Sequence, residues 1–173
     1  DDADFDEIDF TVDYALPIPA ESIEMSVGVL AYTYPNTENN PSTWEVFWTV
    51  SFPELFIIPS AEIYFDVDEG DGLYATLSLE HECALSDDLA LALGVSSAVG
   101  SSNYNDYFFA RDENALNDGN VYASLSYSLT ESLRINGIIA YMWLWDKEIR
   151  SGAREVYFDD SDLWGGCGIS YDF

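Results

Sequence analysis

Apolar and polar side chains alternate along almost the whole chain. Ile8, Phe10, Val12, Tyr14, Leu16 and Ile18 fall on one parity, with Asp9, Thr11 and Asp13 on the other. The same alternation runs through Ile23–Thr33, Trp44–Phe52, a stretch ending in AEIYFDV (61–67), Leu73–Cys83, Leu89–Val99, Val121–Leu129, Leu133–Trp145 and Leu163–Phe173. Period two marks a strand with two unlike faces. The pattern predicts nine strands and almost no helix.

The connections alternate as well. PAES (19–22), PELF (53–56), LSDD (85–88) and TES (130–132) are short; PNTENNPST (35–43), DEGDG (68–72) and the segments 100–120 and 146–162 are longer or more acidic. An up-and-down meander with every second connection short is the pattern of a transmembrane β-barrel. The second face of the strands is rich in Ser, Thr, Ala and Gly, with scattered Glu, Asp and Arg, which suits a polar lumen. A lipocalin-like barrel or a β-sandwich in water also alternates, but packs its apolar face inward. Two features favour the inverted arrangement. Lys is nearly missing from the polar face. Aromatic residues also sit toward strand ends, at Trp44, Trp48, Trp143, Trp145, Tyr171 and Phe173, as in an interfacial girdle. The expected fold is all-β, an antiparallel up-and-down transmembrane barrel forming a single domain over residues 1–173.

Charge narrows the partners. A net charge of −28, with 33 acidic against five basic residues, excludes a nucleic-acid surface and favours cations. No run of 18 apolar residues provides a transmembrane helix. Cys83 and Cys167 allow at most one bridge, and their spacing does not decide it.

The chain ends Ile169-Ser-Tyr171-Asp-Phe173. That ending resembles the C-terminal insertion signal of Gram-negative outer-membrane β-barrel proteins: a final Phe, an aromatic residue two before it, and apolar residues at alternate positions upstream. More loosely, IYFDVDEGDGLYATLSLEH (63–81), SNYNDYFF (102–109) and ALND (115–118) look like a group of uncharacterised barrel proteins from aquatic bacteria. The resemblance implies a fold and a bacterial outer-membrane location, with the last strand read by the assembly machinery; it implies no reaction. If Phe173 lies at the periplasmic side, counting back nine strands puts Asp1 outside. Even strand numbers are the rule for this class, so one or three further strands are expected before residue 1.

Candidate chemistry follows from parity. Glu24, Glu45, Glu62, Tyr74, Glu80, Tyr122 and Arg134 fall on the polar face. They are expected either to form an Arg–Glu network that rigidifies the lumen or to set the selectivity of an open pore. In the loop Asp66-Val-Asp68-Glu69-Gly-Asp71-Gly, alternate carboxylates and glycines suit calcium. The same residues also make an ordinary charged turn. Asp159, Asp160 and Asp162 form a second acidic knot. His81 is the only histidine and falls on the apolar face, so no Ser–His–Asp arrangement is expected in the lumen, and no enzyme activity or cofactor other than calcium.

The leading expectation is a channel for passive diffusion of small solutes, favouring cations, with lipid as its surroundings. The alternative is a non-conducting barrel whose long loops bind a partner, either a second copy or another outer-membrane or surface protein. Those loops carry Tyr104, Tyr107, Phe108, Phe109, Tyr157 and Phe158.

Overall fold

A computed structural model describes residues 7–20, 22–36 and 41–172. Nine strands form one antiparallel sheet in sequence order: β1 (Ile8–Ala15), β2 (Glu24–Thr33), β3 (Thr43–Ser51), β4 (Ile58–Asp66), β5 (Leu73–Ala84), β6 (Leu89–Gly100), β7 (Ala115–Ser128), β8 (Leu133–Leu144) and β9 (Ser161–Tyr171). The sheet curls into a half-barrel. All nine strands expected from the alternation are present. Among the described residues β1 and β9 each pair on one side only, and they run in the same direction. Phe173 and the segment in which further N-terminal strands would lie fall outside the described residues.

The sheet's apolar face is its outer, convex one. Val29, Val46, Ile63, Leu77, Leu93, Val95, Leu125 and Ile139 all stand exposed there, one strand after another, with Leu77 at 70%. Aromatic side chains flank this aliphatic belt. Trp44, Tyr141, Trp143 and Trp145 lie toward the end with the long connections, and Tyr14, Phe52, Tyr127 and Tyr171 toward the end with the short ones. Trp48 is a correction to the girdle: it pairs with Ile63 in the middle of β3 and belongs to the belt.

On the concave face two aromatic rings reach over glycines. A Cβ on Gly28 would stand 2.2 Å from the Phe47 ring, and one on Gly94 would stand 2.1 Å from the Tyr122 ring. Only glycine on the intervening strand leaves room for a neighbour's ring to reach across it.

The long connections hold two helices that the alternation did not anticipate, α1 (Ser102–Phe109) and α2 (Lys147–Val156). Each has a capping residue. The Ser101 hydroxyl accepts from the Tyr104 N–H, and the Asp146 carboxylate accepts from the N–H groups of Glu148 and Ile149. α2 also places Glu148 in its first turn and Arg154 in its last, complementing the helix dipole. Both helices are too short for a window of eleven or more residues to register their period. Together they form a cap over the mouth, with a small dry core of Leu144, Ile149 and Ala153 covered by Phe109, Ala115 and Met142.

β7 begins at Ala115, six residues before the expected Val121. The extension contains a β-bulge. Ser97 pairs with Gly119 and Val99 with Leu116, so β7 carries one extra residue. As a result the consecutive residues Asn117 and Asp118 are both buried on the concave side, while Leu116 stays outside.

Candidate functional site

The site lies on the concave face near the long-connection end, where β2–β5 and β7 meet α1. Its recurring unit is a tyrosine hydroxyl donating to a carboxylate. Tyr32 donates to Glu45 (3.1 Å), Tyr64 to Glu62 (2.7 Å), Tyr74 to Asp118 (2.6 Å) and Tyr122 to Glu80 (3.0 Å). Two of these pairs cross a whole strand: Tyr74 and Tyr122 reach between β5 and β7 over the small residues of β6. The bulge supplies Asp118 to Tyr74, and Gly94 gives Tyr122 its path to Glu80.

α1 sets its aromatic face beside three of these pairs, those of Tyr32, Tyr64 and Tyr74. Tyr104 stacks on Tyr74 with ring centroids 4.9 Å apart, and Phe108 lies 4.6 Å from Tyr104. The approach is close: a Cβ on Gly72 would stand 2.4 Å from the Tyr104 backbone nitrogen. Asn105 anchors the helix, donating to the carbonyls of Gly100 and Glu113 and accepting from the Asn117 amide. Burial beside Tyr74 holds the Tyr104 phenol well above its ordinary range, so it is a neutral ring at physiological pH.

Two cavities flank Tyr104 and Phe108. One, about 440 Å³, is lined on its other walls by Tyr32, Glu45, Glu62 and Tyr64; the second, about 650 Å³, by Asp118, Tyr157, Asp159 and Asp162. Neither is lined by Lys or Arg. All five basic side chains are engaged elsewhere. Arg111 pairs with Glu155, Arg134 with Asp172, Lys147 with Glu148, and both Arg150 and Arg154 with Asp160. Glu45, at 5% exposure, and Asp118, at 8%, are therefore buried carboxylates that accept from neutral donors, Glu45 from Tyr32 and Asp118 from Tyr74 and Asn120.

The structure divides the residues expected on the polar face. Glu45, Glu62 and Tyr74 come together around the cavity beside Tyr104. Glu80 and Tyr122 form a separate pair farther along the strands and line neither cavity. Glu24 sits apart, with Asp13, Ser26 and Thr49 around a hollow at the short-turn end. Arg134 lies at that end too; among the described residues its ion pair is with Asp172, at 3.6 Å, and not with a glutamate of the expected network. The acidic turn is organised around Asp66. Its buried carboxylate accepts from the Thr43 hydroxyl (2.7 Å) and from the N–H groups of Asp68 and Gly70, shaping the loop from within. Asp68 and Asp71 point to the surface, and Asp71 holds a left-handed backbone at φ 42°. Among the described residues no three His, Cys, Asp or Glu side chains converge as metal ligands would.

Asp160 of the second knot serves the cap, clamped by Arg150 at 2.6 Å and Arg154 at 2.5 Å. The Arg150 hydrogen bond, with the charges of both guanidiniums, holds its carboxyl below the ordinary Asp range. His81 stays on the outer face, where its Nδ1–H donates to the Phe56 carbonyl. Trp143 and Trp145 pack edge to face over Gly119, and the Trp145 indole N–H donates to Ser97.

Tyr32, Tyr64 and Asp118 belong to the site without being singled out in the sequence, and Tyr104 is expected there only as a loop aromatic for partner contact. Tyr32 and Tyr64 share parity with Glu45 and Glu62 and were legible on that basis. Tyr104 was hidden by the unrecognised helix and Asp118 by the bulge. No protein-family profile matches the chain, and no curated protein matches it in sequence.

Proposed function

We propose that this chain is the wall of an outer-membrane β-barrel that conducts small solutes passively and favours cations. The observation that carries the reading is the inversion of the sheet. No other part of the described residues covers the continuous aliphatic belt on the convex face, while hydroxyls, phenols and carboxylates line the concave face. In water such a belt would leave an exposed apolar patch far larger than monomers tolerate. In a bilayer it is the side that faces lipid, with the flanking aromatic residues at the two interfaces. The polar face then lines an aqueous path whose fixed charge is negative, and such a lining raises the local concentration of cations. α1 narrows that path on the long-connection side.

Reconstitution in a planar bilayer tests it. Stable conductance steps with a reversal potential shifted toward the cation's Nernst value are expected under a salt gradient. Glu62→Gln should reduce that shift. Silence at high protein load from correctly folded protein would remove the conduit and leave the wall.

One feature favours the alternative, a barrel that binds a partner through its cap. Phe158 is 90% exposed and holds a left-handed backbone at φ 70°, a costly conformation for a bulky side chain. A ring held in water on a strained backbone has the character of a contact residue.

A further inference from the structure

The acidic concave face explains a general preference for cations but not its tyrosines. We infer that the cavity beneath α1 is a binding site for an alkylammonium cation, held over the rings of Tyr32, Tyr64 and Tyr104 and against the carboxylates of Glu45 and Glu62. The inference deepens the conduit reading and rests on it, because the cavity must open to water.

Three independent features converge. The first is uncompensated charge. Glu45 is almost fully buried, yet none of the five Arg and Lys side chains reaches it. A buried carboxylate with only a phenol for company is costly, and a cation entering the cavity relieves that cost. The second is the lining. Five tyrosines and one phenylalanine surround a space of about 440 Å³, an appropriate size for a small organic ligand. Aromatic faces attract cations whose charge is spread over methyl or methylene groups, and several rings around one charge form the cage that recognises quaternary ammonium. A hydrated alkali ion would use the carboxylates but gain nothing from the rings. The third is fixation. Each phenol near the carboxylates is tied by a hydrogen bond, Tyr32 to Glu45 and Tyr64 to Glu62, and Tyr104 is stacked on Tyr74. The rings are therefore held around the space before any ligand arrives, which lowers the ordering cost of binding.

Isothermal titration of the whole chain in detergent micelles tests the site, using choline, its neutral carbon isostere 3,3-dimethylbutan-1-ol, and potassium. Choline should bind at least about tenfold more tightly than either, a difference of the size of one or two desolvated cation–π contacts. Tyr104→Ala, which alters a loop helix rather than the wall, should weaken choline by about tenfold, as should Glu45→Gln. Glu62→Gln repeats the charge test at a less buried position should Glu45→Gln fail to fold. Glu148→Gln, on the outer surface of α2, should change nothing. Equal affinity for choline and its isostere, full affinity in Tyr104→Ala, or no binding by protein with native far-UV circular dichroism would each overturn the site. Choline binding in a chain that is silent in bilayers would sink the conduit and keep the site. Conductance without choline binding would do the reverse.

Discussion

Ile149 in the cap is completely buried, while Leu77 in the wall is 70% exposed. The two regions obey opposite rules within one chain. The cap follows the rule for proteins in water. Its apolar side chains, Leu144, Ile149 and Ala153, close on one another, and its charged residues pair at the surface, as Arg111 does with Glu155 and Arg150 with Asp160. The wall turns its aliphatic side chains out and its carboxylates in. The hydrophobic effect is the same in both places. The cap carries its own apolar interior; under the proposed function, lipid supplies one for the wall from outside.

The largest effect that could break this contrast is in the cap. Ile149→Ala should cost about 2–5 kcal/mol of local stability, the range for a sealed aliphatic side chain. It should appear as faster proteolysis within 146–160, with the strands still protected in vesicles. If the strands lose protection equally, cap and wall are one cooperative unit and the contrast is wrong.

Leu77→Arg is the sharper test of the wall. A charge at mid-strand on a lipid face costs about 2–4 kcal/mol, whereas an exposed position in water tolerates substitution within about 0.5 kcal/mol. Chemical denaturation in lipid vesicles distinguishes the two, and a near-zero change would remove lipid from the account.

Gly94→Ala comes next. Its methyl group must displace the Tyr122 ring from Glu80, and overpacking of that kind costs about 1–3 kcal/mol. Gly168 lies on the same face of β9, where a Cβ would meet nothing within 4 Å, so Gly168→Ala should leave stability nearly unchanged. Equal effects at the two sites would show that the rings are not fixed as described.

The smallest effect is a pH dependence confined to the cap. The Asp160 carboxyl titrates below its ordinary range when folded. Its pairing with Arg150 and Arg154 is therefore fully present above the ordinary Asp range, and is lost as the pH falls below that range through the lowered value. Cleavage of 146–160 by an acid protease should rise over that interval in the native chain. Asp160→Asn should flatten the rise; an unchanged profile would assign the acid sensitivity to other groups.

Much of the wall was legible without coordinates. Strand order, the alternation of short and long connections, and the polar parity of Glu45, Glu62, Glu80, Tyr74 and Tyr122 all follow from period two, because a strand's geometry sends neighbouring side chains to opposite faces. What lay beyond that reading departs from period two. The ten residues of α2 carry their helix signal in caps and end charges rather than in a long repeat. The extra residue in β7 reverses parity at a single point, which turned Asn117 and Asp118 inward together.

The division has a physical basis. Which side chains share a face follows from the order of residues, since that depends on local backbone geometry alone. That order by itself did not determine that Arg134 would end on Asp172, away from the glutamates, or that Tyr74 would cross β6 to Asp118. Those outcomes depend on strand register, on the curvature of the sheet and on where a glycine leaves room for a ring. Only the assembled half-barrel decided them, and with them it decided that the carboxylates beneath α1 have tyrosines for neighbours and none of the chain's five Arg and Lys side chains.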